Sequence, residues 1–161
     1  MKYLAPLFAL TLAACSSTAP TNTPDGLQYS NTMEIIFAAA EVHPRRVAGD
    51  WVLPIRAAGN QRSIVYLNTE LDYRDPRSVS IALLPNVVNE LASRYGENPE
   101  TFLVGQTVRV RGEAQTTRIN FYCETDAAQN IEADAELKYY FQTHILIGDV
   151  RQIKIIANSI D

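Results

Sequence analysis

Thr107–Ala114 reads TVRVRGEA, and the alternation within it decides the class of fold. Valine at 108 and 110 with arginine at 109 and 111 repeats every second residue. That is the period of a strand with one face in a core and one in water. The spacing predicts Val108 and Val110 buried, Arg109 and Arg111 exposed. Upstream lie two β-branched runs, RSIVYLN over Arg62–Asn68 and RSVSIALL over Arg77–Leu84, joined by the polar stretch Thr69–Pro76. Both predict strands. Gly49 opens another over Asp50–Arg56, and Ala57-Ala58-Gly59-Asn60 reads as the turn that follows it. Downstream, Arg118–Leu137 is a long acidic connection whose first part can extend the TVRVRGEA strand. Lys138–Ile147 and Arg151–Ile156 predict two closing strands around Gly148-Asp149.

Two helices interrupt this pattern. Thr32–Val42 (TMEIIFAAAEV) can be capped by Asn31, with Glu34 three residues on completing a box-like start. Pro44 keeps His43 out of the helical region. Over Pro85–Gly96, Pro85 suits the first turn, Val87/Leu91/Tyr95 and Val88/Ala92 form one apolar stripe, and Gly96 ends it. His43-Pro44 before Gly49 and Asn98-Pro99 before Gly105 form a matched pair of helix-to-strand transitions, in which glycine permits a sharp turn.

Composition bounds the function. A chain of 161 residues suits one domain. Hydrophobic residues at 47% and charged residues at 20% rule out a disordered or collagen-like chain. Two cysteines build no disulfide scaffold, and with two distant histidines they make no zinc site, so no metal or cofactor is expected. Charge is uneven: His43–Arg118 holds ten arginines against eight acids, whereas Ile119–Asp161 holds three bases against seven. The formal net charge of −4 makes nucleic acid an unlikely partner. Cys123, in the apolar patch Ile119–Cys123, reads as a small buried hydrophobe.

The N-terminus is an address. Met1-Lys2 is a short positive start, and the uncharged run Tyr3–Ala14 would span about 18 Å as a helix, short of a ~30 Å membrane core. It reads as the apolar region of a signal peptide. Small side chains let a peptidase grip extended backbone, and a thiol can take up diacylglycerol. Leu12-Ala13-Ala14-Cys15 resembles the lipobox of bacterial lipoprotein precursors. The resemblance implies a lipoprotein signal peptide over 1–14, a lipidated Cys15 with a flexible tether over 15–31, and a single domain over 32–161. Several acyl chains on Cys15 would anchor the protein durably. Ser16, where the family commonly has Asp for inner-membrane retention, implies the outer membrane and a periplasm-facing domain. An ordinary secretory signal with a chance cysteine is the alternative.

Three strands, a helix and two strands is the order of the OB-fold. The chain resembles that family in the strands led by Gly49 and Gly105, the SIVYLN strand, and the helix before the fourth strand. The resemblance covers Thr32–Ile156. It implies a mainly β domain with two short helices, an OB-fold-like, five- to six-stranded, partly open barrel. Pro54 departs from it, since a proline denies a strand one donor and demands an edge or a bulge. An open sheet of five or six strands with two helices is the alternative.

No catalytic set is legible. His43 and His144 stand alone, and no phosphate loop, HExxH or G-x-S-x-G is present. Asp72-Tyr73-Arg74-Asp75 reads as a turn before Pro76. Asp126, Glu132, Asp134 and Glu136 miss the calcium-loop spacing and read as a solvated acidic loop. In an OB-fold, ligands lie across strands two and three. That surface would draw on Ile64, Tyr66, Asn68 and Ser80 if Val65, Leu67, Val79 and Ile81 point inward. Tyr66 is the stacking candidate, Asn68 a polar neighbour, and Arg109 and Arg111 offer a second outward face. The expected function is a non-catalytic, outer-membrane-anchored binding or assembly module for an envelope protein or glycan. The alternative is an envelope hydrolase using scattered carboxylates.

Overall fold

A computed structural model describes residues 29–122 and 137–156. The expected signal peptide, Cys15, most of the expected tether, Cys123 and the acidic stretch with Asp126, Glu132, Asp134 and Glu136 lie outside the described residues. In chain order the elements are α1 (Thr32–Val42), β1 (Val47–Pro54), β2 (Ala57–Gln61), β3 (Ile64–Asn68), β4 (Val79–Leu83) and α2 (Pro85–Tyr95). A short α3 (Pro99–Phe102), β5 (Thr107–Tyr122), β6 (Leu137–Ile147), a 3₁₀ turn (Val150–Gln152) and β7 (Ile153–Ile156) follow. The domain is mainly β, with three short helices rather than the expected two.

The strands form one seven-stranded sheet in the order β1-β5-β6-β4-β3-β2, with β7 also on β5. Only β4 and β6 run parallel; the other pairs are antiparallel. The terminal strands of this path, β1 and β2, are successive runs of one extended segment. At the bend between them, the Ile55 N–H donates to Gln106 and the Arg56 N–H to Asn68, so the chain leaves β5 and joins β3 within two residues. The sheet therefore curls into an open, barrel-like form of the OB-like order. Pro54 ends β1 at that bend, where a missing donor interrupts no ladder.

Alternation holds through the wall. Val108 and Val110 are fully buried, as are Leu53, Val65, Leu67, Val79, Ile81, Ile145 and Ile147. Arg109 and Arg111 face water. A helix plugs each end. Following β4, α2 buries Val87 and Leu91 at the end where the Leu84 N–H meets the Ile147 carbonyl. It stops at Gly96, whose φ of 76° suits a residue with no Cβ. At the other end α1 inserts Ile35 and Ala39, capped by the Asn31 side chain accepting from the Met33 N–H. Tyr29 and Ser30, at the end of the expected tether, are pinned to the wall. The Ser30 N–H donates to the Val52 carbonyl, its hydroxyl accepts from the Val52 N–H, and the Tyr29 hydroxyl meets Thr107.

Two local expectations are corrected. Ala57–Asn60 is strand, not turn; the reversal falls on Arg62-Ser63, with φ of 51° and 69°. A two-residue hairpin loop of this mirror-image kind needs positive φ at both positions whatever the residues. Gly49 lies inside β1 and makes no sharp turn. Its lack of a side chain makes room for the Trp51 indole, which a Cβ would overlap.

Candidate functional site

Three neighbourhoods on the outer wall hold the chemically interesting side chains. The first spans β1 and β5. Arg109 Nε and Nη2 lie 2.8 and 3.0 Å from the two Asp50 oxygens, and Arg111 Nη2 lies 3.0 Å from Asp50 Oδ2. The register explains the triad: Asp50 faces Arg111 directly and Arg109 diagonally, on the same outward side. The hydrogen bonds from Arg109 and then Arg111 pull the Asp50 carboxyl down to about 2. One carboxylate against two guanidiniums leaves a surplus positive charge, extended by exposed Lys154 opposite Arg109 on β7.

The second neighbourhood crosses β3, β4 and β6. Tyr66 is half-buried, its ring 5.7 Å from that of His144. Asn68, expected to face outward, is instead 6% exposed, and its carbonyl oxygen accepts a 2.6 Å bond from the Ser80 hydroxyl, itself 1% exposed. The period placed both on the outer side, but the loop after β3 folds back across that side, where the Gln142 amide donates to the Tyr73 carbonyl. Asn68 is thereby largely withdrawn from solvent, with its side-chain oxygen committed to the Ser80 hydroxyl. His144 bonds Gln142 Oε1 at 2.9 Å, and burial pushes its imidazole down to about 4. It is neutral at pH 7. Arg109 and Arg111 lie on a separate stretch of wall, with β6 and β4 between them and Tyr66.

The third neighbourhood was not anticipated. Beyond Ala114, where β1 stops pairing, β5 runs on with β6 alone from Thr116↔Thr143 to Tyr122↔Leu137. This two-stranded ribbon carries Phe121, Tyr139 and Phe141, each 41–55% exposed. The Arg118 guanidinium sits 4.0 Å above the Tyr139 ring, and Phe141 meets Tyr139 edge-on at 5.8 Å. At the ribbon's base the His43 ring approaches Phe141 at 6.3 Å. The available signal was the run Tyr139-Tyr140-Phe141: three consecutive aromatics in a strand cannot all point into one core.

Among the described residues, no group of three or more His, Cys, Asp or Glu side chains is placed to hold a metal ion. No described helix is long and apolar enough to cross a membrane. No protein-family model matches the chain, and neither does any curated protein or solved structure.

Proposed function

We propose that this chain is a lipoprotein anchored in the outer membrane through Cys15. Its periplasm-facing domain acts as a non-catalytic binding or assembly module for an envelope protein or glycan. The location rests on the Leu12-Ala13-Ala14-Cys15 box. The mode of action rests on one observation, the β5–β6 ribbon that holds Tyr139 and Phe141 out of the core beside Arg118. Aromatic and arginine side chains carry most of the energy of an interface once a partner removes their water. Held on paired strands, they lose little entropy on docking.

Each half has its own test. Cys15→Ser should leave an uncleaved or soluble precursor, because no thiol remains to take the lipid; mass spectrometry showing an unmodified mature N-terminus elsewhere would remove the anchor. For binding, the full lipidated chain is crosslinked in intact envelopes. Tyr139→Ala with Phe141→Ala should abolish the adducts formed by the parent chain while leaving thermal unfolding unchanged. Undiminished crosslinking would discard the ribbon. Turnover of an envelope substrate, lost on changing a single carboxylate, would replace the binding reading with the hydrolase one.

A further inference from the structure

The half of β5 that pairs with β1 turns Val108 and Val110 into the core, so Thr107, Arg109, Arg111 and Glu113 share the opposite, outer face. On that face Asp50 of β1 lies across from Arg111, and Lys154 of β7 lies across from Arg109. The chain coming from Cys15 joins the domain at this same wall. The Tyr29 hydroxyl lies 3.2 Å from that of Thr107, the next residue to Arg109 on the face. Ser30 holds both backbone groups of Val52, which stands opposite Arg109. Even fully extended, the residues from Cys15 to Tyr29 reach no farther than ~46 Å.

The wall is cationic on an acidic chain. Arg109 and Arg111 share one carboxylate, Asp50, and remain 56% and 78% exposed. Lys154 is exposed and forms no ion pair among the described residues. The flanking pairs Arg46–Glu113 and Arg151–Asp149 are each neutral. One guanidinium and the Lys154 ammonium are therefore uncompensated, on a chain whose formal net charge is −4. The acid-rich sequence over 124–136 is entered after Tyr122, at the other end of β5, whose 16 residues rise roughly 50 Å. Charge is thus polarised along this strand, with the cations at the end where the chain from Cys15 enters.

We infer that the Asp50–Arg109–Arg111–Lys154 wall is a docking surface for the anionic phospholipid headgroups of the membrane that holds Cys15. The inference rests on the lipoprotein reading above. Guanidinium groups match phosphate oxygens, and Lys154 adds a compact charge beside them. Basic clusters close to a bilayer are drawn to its anionic lipids, an attraction that fades within a Debye length. A patch of this size binds weakly by itself. A lipid on Cys15 makes its encounter with the surface intramolecular, and the raised effective concentration offsets that weakness. Docking by this wall leaves the aromatic ribbon, at the other end of β5, free for a partner.

The test is acetylation of the full-length lipidated chain, read lysine by lysine in mass spectra. Beyond the expected signal peptide the sequence has only Lys138 and Lys154. Lys154 reports the wall, and Lys138, exposed on the ribbon, is the internal control. The protein is added to preformed vesicles of phosphatidylcholine, or of phosphatidylcholine and phosphatidylglycerol in equal parts. Lys154 should react about fivefold more slowly on the anionic vesicles, and Lys138 equally on both. Molar salt should restore the Lys154 rate. Asp50→Asn, which releases both guanidiniums, should slow Lys154 further; Arg109→Gln with Arg111→Gln should return it to its rate on neutral vesicles. The same spectra give the mass of the Cys15 peptide, and a lipid-free peptide would overturn the anchor and this surface with it. With the lipid present, equal Lys154 rates on both vesicles, slowing of both lysines together, or protection that survives salt would overturn the surface alone.

Discussion

The two halves of β5 differ in a way their shared geometry does not explain. From Thr107 to Ala114 the strand has β1 on one side and β7 or β6 on the other, and its inward residues are fully buried under α1 and the facing wall. From Thr116 to Tyr122 it pairs with β6 alone, and large aromatics on the ribbon remain 41–55% exposed. Both halves obey the same two-residue period. What separates them is whether anything lies over the face. Alternation sorts side chains into two sets, and the surrounding chain decides which set is dry.

The largest expected effect tests that contrast directly. Val110→Asp places an unpaired charge at a fully buried position and should cost several kcal/mol, enough to abolish cooperative unfolding. Phe141→Asp, on the same strand system but 55% exposed, should shift stability by no more than about 0.5 kcal/mol. Similar losses from both, read by denaturant titration, would erase the distinction between barrel and ribbon.

The next effect concerns the covered outer face. Burial holds His144 near 4, below its ordinary 6.5, so the unfolded chain takes up a proton at a higher pH than the folded one. Stability is therefore full above about pH 6.5 and falls as the pH drops toward 4, by up to about 3 kcal/mol from this group. His144→Gln should flatten that slope. An unchanged slope in the variant would show that the loop after β3 leaves His144 wet, and the second neighbourhood would then resemble the ribbon.

The smallest effect lies at the arginine pair. Asp50 is on the surface, and exposed ion pairs contribute little to folding. Asp50→Asn should leave the thermal midpoint where it is. A clear drop would mean that the Asp50–Arg109–Arg111 triad is part of what holds β1 to β5.

Much of the frame was legible from residues alone. Asn31 and Pro85 marked helix starts, Gly96 a helix end, and the valines of TVRVRGEA the inner wall of β5, because capping and period are local properties that travel with the sequence. The hairpin was misplaced because Gly59-Asn60 carries the stronger turn chemistry, whereas the register of β2 with β3 forces positive φ on Arg62 and Ser63. The site was less legible. Asn68 had the right parity for the outer face, yet it is buried there with its side-chain oxygen taken by Ser80 of the neighbouring strand. The ribbon aromatics fell partly within a stretch read as a connection.

By itself the sequence determined the period of the β5 wall, the two longer helices and the acidic balance. These depend on neighbouring residues and on chain composition. Only the tertiary structure decided that β1 and β2 are one bent segment joining the two ends of the sheet. It also decided that Asn68 and Ser80 are dry, and that Tyr139 and Phe141 stand in water. Each of those depends on what lies across from a residue. That is settled by segments far apart in the chain meeting in space, and one-dimensional periodicity carries no record of it.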